Sequence, residues 1–440
     1  MNTPDPISPD PILIARSVAL DLLDAVLRQR TPLDDALAAN SDIEQLAVRD
    51  RGFARMLVAT CLRRLGQIDA LLAGLLTKPE PPPPALHDLL RLGVSQLLFM
   101  ATPAHAAVDT TVALARLRGE ERGTGLLNAV LRRVAREGEA LLRLQDAARL
   151  NTPDWLWTSW RKAYGTPTAR HIAEAHLKEA ALDLTLRDPE QSADWAKRLE
   201  AMVMPTGSLR RPPGGGAVVE LPGHGEGAWW VQDAAAALPA RLLGSVVGQT
   251  VYDLCAAPGG KTAQLAAAGA KVTAVERSTK RMERLSANLA RLSLNAETVT
   301  ADAGQWCPKT PADAVLLDAP CSGTGTIRRH PDLARLKTAD DVAKLVLVQD
   351  RLLDHAVTLV RPGGLLIYSV CSLEPEEGSR RIARLLDSGA PVARVPVKPG
   401  EIGGLVEAVS PNGDIRTLPC HLSREGGLDG FFIARLRRLG

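Results

Sequence analysis

Two short turns carry cysteines that could act on a substrate. One is Asp318-Ala-Pro-Cys321 and the other is Ser369-Val-Cys-Ser372. A thiolate is a strong nucleophile, so a cysteine at the rim of a binding cleft can form a covalent intermediate. A single cysteine near a strand is more often a small buried apolar residue, and a pair could form a disulfide. Because both turns are polar and follow predicted strands, we favour a chemical role for Cys321 and Cys371.

A second candidate site is the stretch from Val251 to Lys261, Val-Tyr-Asp-Leu-Cys-Ala-Ala-Pro-Gly-Gly-Lys. The pattern is typical of a buried strand, a tight turn and the start of a helix. Gly259 and Gly260 lack a Cβ, so the backbone there can approach a ligand closely. The glycine spacing matches neither the dinucleotide fingerprint nor the P-loop. An ordinary strand–helix turn is the alternative to a ligand site.

Acidic residues close four successive predicted strands, and a fifth strand leads to Cys371. Carboxyl ends of parallel strands lie side by side, so the four acids should converge on one crevice. Glu276 follows Asp253 at the spacing at which a carboxylate binds ribose hydroxyls in nucleoside-binding α/β folds. Each acid alone could be a helix cap, but together they favour a nucleoside site. The acids are Asp253, Glu276, Asp302 and Asp318, and the strands after the first are 271–275, 297–300, 314–317 and 364–370.

Length and composition predict an ordinary soluble protein of several domains. The chain has 440 residues, of which 45% are hydrophobic and 23% charged, and its net charge is +3. Such a balance permits nucleic-acid binding without requiring it. We expect no signal peptide, no membrane span and a cytoplasmic location with reduced thiols. No C-x-x-C pair occurs, so we expect no metal site. The cysteines are Cys61, Cys255, Cys307, Cys321, Cys371 and Cys420.

Periodicity divides the chain into four segments. Residues 1–11 are proline-rich and predicted to be a disordered tail, and 12–146 show the apolar spacing of an all-α bundle. Residues 150–245 suggest a small α+β module, and 246–440 alternate strand and helix, as in a parallel α/β sheet. A last edge strand is expected at 431–436. The tryptophans Trp155, Trp157 and Trp160 lie beside basic residues, but core packing is the favoured interpretation over RNA stacking.

The glycine turn and the two cysteine turns together resemble the RNA cytosine-C5 methyltransferases. Over 12–440 the chain resembles the bacterial Fmu/Sun (RsmB) family of 16S rRNA enzymes. The resemblance implies a NusB-like helical domain, a small RNA-binding module and a class I, Rossmann-like methyltransferase domain that uses S-adenosyl-L-methionine. The resemblance also rests on four further runs of residues, which are Asn128-Ala-Val-Leu-Arg-Arg133, Val231-Gln-Asp233, Ile327-Arg-Arg-His-Pro-Asp332 and Asp429-Gly-Phe-Phe432.

The resemblance also implies roles for individual residues. Cys371 would be the nucleophile, Cys321 would assist product release, and Asp318 would border cofactor and base and share a proton with the base. Glu276 would hold the ribose hydroxyls of the cofactor and Asp302 its adenine amino group. The remaining cofactor contacts would come from Cys255, Ala256, Ala257, Pro258, Gly259, Gly260 and Lys261.

The expected reaction is methylation of a cytosine at C5 in 16S rRNA, cytosine 967 by resemblance, in the free rRNA or a precursor of the small subunit. We expect the protein to act as a monomer. Two alternatives stay open. The substrate could be a tRNA or another RNA, or the chain could be a NusB-like RNA-binding or antitermination factor with a silent methyltransferase fold. An amino-methyltransferase is disfavoured, because that family has Asn/Asp-Pro-Pro-aromatic where this chain has Asp318-Ala-Pro-Cys321.

Overall fold

The computed structural model describes residues 11–77, 80–214 and 216–440. The predicted tail therefore lies outside the described residues, except for Pro11, which begins the first helix. The chain separates into two compact units. One runs to Thr158 and includes His330–Leu336, and the other comprises Ser159–Arg329 and Lys337–Gly440. No helix among these residues is long and apolar enough to cross a membrane.

The first unit is helical, as the apolar spacing predicts. Leucines three and four residues apart form one face of each long helix, and these faces build a common core that includes Leu89, Leu90 and Leu131. The bundle is interrupted at Leu46 and Ala47, which have extended backbones. The helices are α1 (Pro11–Leu27), α2 (Leu33–Ala39), α3 (Asp42–Gln45), α4 (Val48–Arg63), α5 (Leu65–Leu75), α6 (Pro84–Phe99), α7 (Ala104–Leu117), α8 (Thr124–Arg143) and α9 (Ala147–Asn151), followed by α10 (Asp154–Tyr164), which contains the boundary at Thr158.

The second unit begins with a small module of helices and an antiparallel sheet. The sheet has the strand order β2 (Met202–Val203), β3 (Leu209–Arg211), β1 (Leu182–Leu186) and β4 (Trp229–Val231). Leucines alternate along β1. Trp157 of the first unit and Trp160 of the second are buried, which agrees with core packing, and Trp155 is half-buried. The elements are α11 (Thr166–His176), β1 (Leu182–Leu186), α12 (Ser192–Arg198), β2 (Met202–Val203), β3 (Leu209–Arg211), β4 (Trp229–Val231) and α13 (Leu238–Arg241).

The remaining elements form a mixed sheet with helices. The elements are β5 (Thr250–Leu254), α14 (Gly260–Ala267), β6 (Lys271–Glu276), α15 (Thr279–Leu292), β7 (Glu297–Thr300), β8 (Ala312–Asp318), α16 (Leu333–Leu336, in the first unit), α17 (Ala339–Leu359), β9 (Val360–Val370), α18 (Ser379–Asp387), β10 (Val392–Arg394), β11 (Ile415–Arg416) and β12 (Phe432–Arg438).

The strand order of this sheet is β10-β12-β9-β8-β5-β6-β7, with β11 paired to β12. Strands β5 to β9 pair in parallel, whereas β12 is antiparallel to β9 and β10. The prediction of an edge strand at 431–436 is therefore wrong in its placement. The short strand β10 covers the outer side of β12, and its three residues give too weak a pattern to be recognised in the sequence.

A buried network of ion pairs joins the small module to the large sheet. Arg210 on β3 makes two hydrogen bonds of 2.6 Å to Asp183 on β1. Arg329 donates to Asp233 at 2.5 Å and to Asp429 at 3.0 Å. All three aspartates are buried. Removing one partner of a buried ion pair costs roughly 3–5 kcal/mol, because the other charge is left without compensation. The network therefore fixes the module relative to the sheet.

Candidate functional site

The two cysteine turns meet at the carboxyl ends of neighbouring strands. β8 and β9 are parallel and pair Asp318 with Ser369, so the residues that follow each strand emerge side by side. The sulfurs of Cys321 and Cys371 are 3.4 Å apart, and both cysteines are free thiols. The structure thus brings the two cysteines singled out in the sequence into one place. Their separation is a thiol–thiol contact and not a disulfide.

The environment of the thiol pair favours a proton on Cys321. The hydrogen bond with Cys371, followed by burial, raises the pKa of the Cys321 thiol well above its ordinary value. Cys321 therefore holds its proton at neutral pH. A thiol that donates a hydrogen bond to a neighbouring sulfur stabilises negative charge on that sulfur. The arrangement suits a pair in which Cys371 attacks and Cys321 keeps the proton.

Asp318 lies beside the thiols and is held by two donors. Lys261 Nζ donates to its Oδ2 at 2.7 Å, and Ser369 Oγ donates to its Oδ1 at 2.8 Å. Burial alone would lower the pKa of Lys261, but the attraction and hydrogen bond of Asp318, with smaller contributions from other nearby acidic groups, together raise it. Lys261 is therefore an ammonium group in a buried position. Its pairing with Asp318 was not predicted, since the two residues come from separate motifs.

The glycine turn has the backbone that its sequence requires. Gly259 has φ +101°, and a Cβ there would lie 2.9 Å from Cγ of Leu285 on α15. Any other residue would be strained and would clash. Arg281 on the same helix donates to the carbonyl of Ala257 at 2.6 Å. The helix that follows β6 therefore holds the turn that follows β5.

Cys255 begins this turn in a left-handed conformation, with φ +60°. Burial, and then the nearby carboxylates of Glu276 and Asp318, raise the pKa of Cys255 to about 12. It is a protonated thiol at neutral pH and is not a candidate nucleophile. The next residue, Ala256, donates its N–H to the carbonyl of Val275 on β6 at 3.1 Å. Cys255 thus contributes shape to the site rather than reactivity.

The acidic residues lie on or just after neighbouring strands in the order β8, β5, β6 and β7, but they are not equivalent. Glu276 is buried; its Oε1 accepts from Ser278 N at 3.0 Å, and its Oε2 lies 3.3 Å from Arg281 Nη1. The latter contact lacks hydrogen-bond geometry, so Oε2 has no hydrogen-bond partner among the described residues. Asp302 is half-exposed and accepts from Arg351 at 2.9 Å. That hydrogen bond is the main cause that lowers the pKa of Asp302.

Asp253 is the exception among the four acids. We predicted that it ends the first strand, but β5 continues through Leu254, so Asp253 lies inside the sheet. It is fully buried, and its Oδ2 accepts from Thr262 Oγ1 at 2.6 Å. Within the described chain its Oδ1 has no hydrogen-bond partner. Burial raises the pKa of Asp253 to about 7.

This pKa predicts a loss of stability as the pH rises. The folded protein binds the Asp253 proton more tightly than the unfolded chain, where the pKa is about 3.9. The stabilisation of the folded protein by the protonated Asp253 is fully present below about pH 4 and is lost as the pH rises through about 7. The free energy of unfolding can be measured by chemical denaturation at about pH 5 and about pH 8. Between these pH values, we expect it to fall by about 2–4 kcal/mol less in Asp253→Asn than in wild type. Asp387→Asn, on the exposed end of α18, is the control, and an equal loss in all three proteins contradicts the assignment.

Comparisons with known proteins agree with this architecture. The family model for the NusB family matches residues 13–136, and the model for the 16S rRNA methyltransferases RsmB/F matches residues 240–437. Ribosomal RNA small subunit methyltransferase B of Pseudomonas putida is 37% identical over 441 residues, which cover 96% of this chain and 98% of that protein. The chain belongs to the RsmB/F family of 16S rRNA methyltransferases. It is therefore a member of an S-adenosylmethionine-dependent family of RNA methyltransferases.

Solved structures show the same fold as this RsmB/F chain. The structure of PH0851 is 23% identical, with a TM-score of 0.74, and the match covers 99% of this chain and 100% of that one. A methyltransferase homolog protein from Pyrococcus horikoshii is 28% identical, with a TM-score of 0.52, over 68% of this chain and 98% of that one. The predicted fold class, a NusB-like helical domain with a Rossmann-like methyltransferase domain, is confirmed.

Sequence reasoning missed several residues that shape the site of this RsmB/F protein. The sequence indicates Ser369 only as part of a turn and gives no sign that Arg351 or Glu377 contributes to the site. Ser369 lies near the end of β9, two residues before Cys371, so both residues are at the same edge of the sheet. This closeness in sequence is the signal that could have identified Ser369. Glu377 gives no signal as a buried residue, because glutamates are seldom buried unless they are paired.

Proposed function

We propose that this protein transfers a methyl group from S-adenosyl-L-methionine to C5 of a cytosine in 16S rRNA, cytosine 967 by family likeness. The proposal rests mainly on one observation, the 3.4 Å separation of the Cys321 and Cys371 sulfurs. Membership of an rRNA methyltransferase family supports the substrate class. The position on the base and the covalent route are inferred from the two thiols.

The chemistry of cytosine explains why a thiol is needed. C5 is a weak nucleophile and does not attack a methyl donor unaided. Addition of the Cys371 thiolate to C6 moves the C5–C6 electron pair onto the ring and makes C5 electron-rich, which divides one high barrier into two lower ones. The bound cofactor supplies an electrophilic methyl group. The target base must leave any stack, at a cost of a few kcal/mol, before Cys371 can reach it.

Cys321 then completes the cycle. Cys321 must first give up its proton to water, and this becomes easier once the Cys371 sulfur is bonded to C6, because that sulfur then carries no negative charge beside it. Its thiolate removes the C5 proton, and the electrons of that bond restore the C5–C6 double bond. The bond between sulfur and C6 breaks, and Cys371 leaves as a thiolate. The thiol pair returns to its starting state.

Asp318 and Lys261 are placed to bind the polar edge of the base. We expected Asp318 to share a proton with the base. Because Lys261 and Ser369 already donate to both Asp318 oxygens, the proton available to the ring is the one on the Lys261 ammonium. A buried ammonium stabilises negative charge that develops on the ring during thiolate addition. Asp318 can accept from the exocyclic amino group through its remaining lone pairs.

The residues at the ends of β5, β6 and β7 fit the cofactor. The turn at Gly259 and Gly260 lets a ligand approach the backbone, and the buried Oε2 of Glu276 lacks a hydrogen-bond partner among the residues described. We assign Glu276 to the ribose hydroxyls. Asp302 already accepts from Arg351 and the Gly304 N–H, yet a carboxylate has about four acceptor positions and can also bind the adenine amino group. Cys255 to Lys261 would line the rest.

Glu276→Ala should weaken cofactor binding. Hydrogen bonds to a charged group contribute about 1.5–3 kcal/mol, so loss of this carboxylate should raise the Kd for S-adenosylmethionine about 10- to 100-fold in isothermal titration calorimetry. Glu283→Ala, an exposed position on α15, is the matched control and should bind as wild type does. An unchanged Kd for Glu276→Ala would remove Glu276 from the cofactor site.

The reaction itself can be tested directly. Wild-type protein is incubated with methyl-labelled S-adenosylmethionine and, separately, with unmodified 16S rRNA, small-subunit particles and tRNA, and the digested nucleosides are separated by chromatography. Label in 5-methylcytosine from 16S rRNA supports the proposal. Label in tRNA alone supports the alternative that this protein is a tRNA cytosine-C5 methyltransferase. RNA binding without any S-adenosylmethionine binding supports the silent RNA-binding factor.

A further inference from the structure

A buried carboxylate lies beneath the two cysteine turns. Glu377 has no exposed surface and follows Cys371 on the same connection. Its Oε1 accepts from the Ser322 N–H at 2.9 Å and from Gln349 Nε2 at 2.9 Å. Its Oε2 accepts from the Ser322 hydroxyl. One carboxylate therefore holds both the backbone and the side chain of the residue that follows Cys321.

The residue after each cysteine is a serine, and the two serines contact each other. Ser322 Oγ and Ser372 Oγ are 3.1 Å apart, and both residues are fully buried. Ser372 Oγ also accepts the Glu374 N–H at 3.0 Å. The hydroxyl contact joins the two turns one residue away from the thiol contact. A fixed separation of the serines thus limits how far the thiols can move apart.

The carboxylate is anchored to elements outside the turns. Tyr368 on β9 donates its hydroxyl to the backbone carbonyl of Glu377 at 2.6 Å. Gln349 on α17 donates to the carbonyl of Pro320, at 2.9 Å, as well as to Glu377. Both turns are therefore tied through Glu377 to a central strand and a long helix. Holding groups on rigid elements in this way preserves reacting geometry.

We infer that Glu377 is a positioning residue, which acts through Ser322 and Ser372 to keep the Cys321 and Cys371 thiols in contact. Its importance for methyl transfer rests on the proposed function. The geometry that it sets can be measured without that reaction. Two thiols held together close quickly to a disulfide when a small disulfide such as oxidised glutathione accepts their electrons, forming one protein S–S bond and releasing two glutathione thiols.

The experiment measures the rate of Cys321–Cys371 disulfide formation by peptide mass spectrometry, at a temperature where every variant is folded. Ser322→Ala removes the hydroxyl link, and Glu377→Ala removes the whole anchor. Both should close the disulfide about tenfold more slowly than wild type, reflecting a lower effective concentration of the thiols. Glu377→Gln keeps one oxygen for the Ser322 N–H and Gln349, so it should recover most of the rate. Glu376→Gln, whose carboxylate pairs with Arg380, is the neighbouring control.

The same variants are then assayed for methyl transfer in a single turnover. Ser322→Ala should transfer about tenfold more slowly with an unchanged Kd for S-adenosylmethionine, since it leaves Glu276 and the glycine turn untouched. If Glu377→Ala does not fold, Ser322→Ala and Ser372→Ala decide the question. Folded variants that close the disulfide at the wild-type rate overturn the inference. If wild type itself does not methylate RNA, the proposed function fails, and the disulfide rates still test the role of Glu377.

Discussion

Replacement of Cys371 by alanine is expected to lower the single-turnover rate of methyl transfer by about 10³-fold or more, the order seen when a covalent enzyme loses its nucleophile. Without the thiolate, no sulfur adds to C6 and C5 stays a weak nucleophile. The Kd for S-adenosylmethionine should stay within about twofold of wild type, because binding and chemistry use different groups. Rapid-quench assays with labelled cofactor and unmodified 16S rRNA measure the rate, and calorimetry measures the affinity.

Cys307→Ala is the matched control for this variant. Cys307 is an exposed free cysteine, so its replacement tests for general effects of cysteine removal. We expect it to methylate at the wild-type rate. Methylation by Cys371→Ala at the rate of this control would make Cys371 a structural residue and would end the covalent proposal.

Replacement of Cys321 by serine should have a different outcome, a stable covalent complex between protein and RNA. Addition to C6 and methyl transfer can still occur, but removal of the C5 proton lacks its base. A serine hydroxyl is a far weaker base than a thiolate, and loss of a positioned base slows such a step by about 10²- to 10⁴-fold. The methylated intermediate should therefore accumulate. On a denaturing gel, labelled RNA should migrate with the protein.

The double variant Cys321→Ser/Cys371→Ala separates a true intermediate from trapped non-covalent complexes. It lacks the attacking sulfur and should show no RNA in the protein band. Turnover of Cys321→Ser at the wild-type rate, with no complex on the gel, would assign proton removal to another group. Cys321→Ser and the double variant are the sharpest test of the mechanism, because RNA should appear in the protein band of the first and be absent from that of the second.

Local patterns in the sequence were enough to predict the central sheet and the thiol pair. Strands β6, β7 and β8 lie where alternating or apolar runs predict them, because each pattern is contained within a few residues. Cys321 and Cys371 could be placed together because parallel neighbouring strands end at the same edge. The position of β12 could not be predicted, since it depends on pairing with the distant and very short β10.

Polar contacts between residues far apart in the sequence also could not be predicted. The Lys261–Asp318 pair and the burial of Glu377 each depend on which side chains meet after folding, and single residues carry no signal of their partners. The segment His330–Leu336 is a further case. It follows the first cysteine turn in sequence, yet it belongs to the helical unit, where Leu336 joins the core and Asp332 accepts the Leu33 N–H at 3.0 Å.

The buried ion pairs between the small module and the sheet bear on how such proteins can evolve. A gene fragment that begins near residue 246 would encode Arg329 and Asp429 but not Asp183, Arg210 or Asp233. Recombination at that point between distant relatives would join two segments whose buried acidic and basic residues did not evolve together. Unless those residues still pair, some charges would be buried without partners. The two segments are thus expected to be inherited as a block, although the sequence changes character between them.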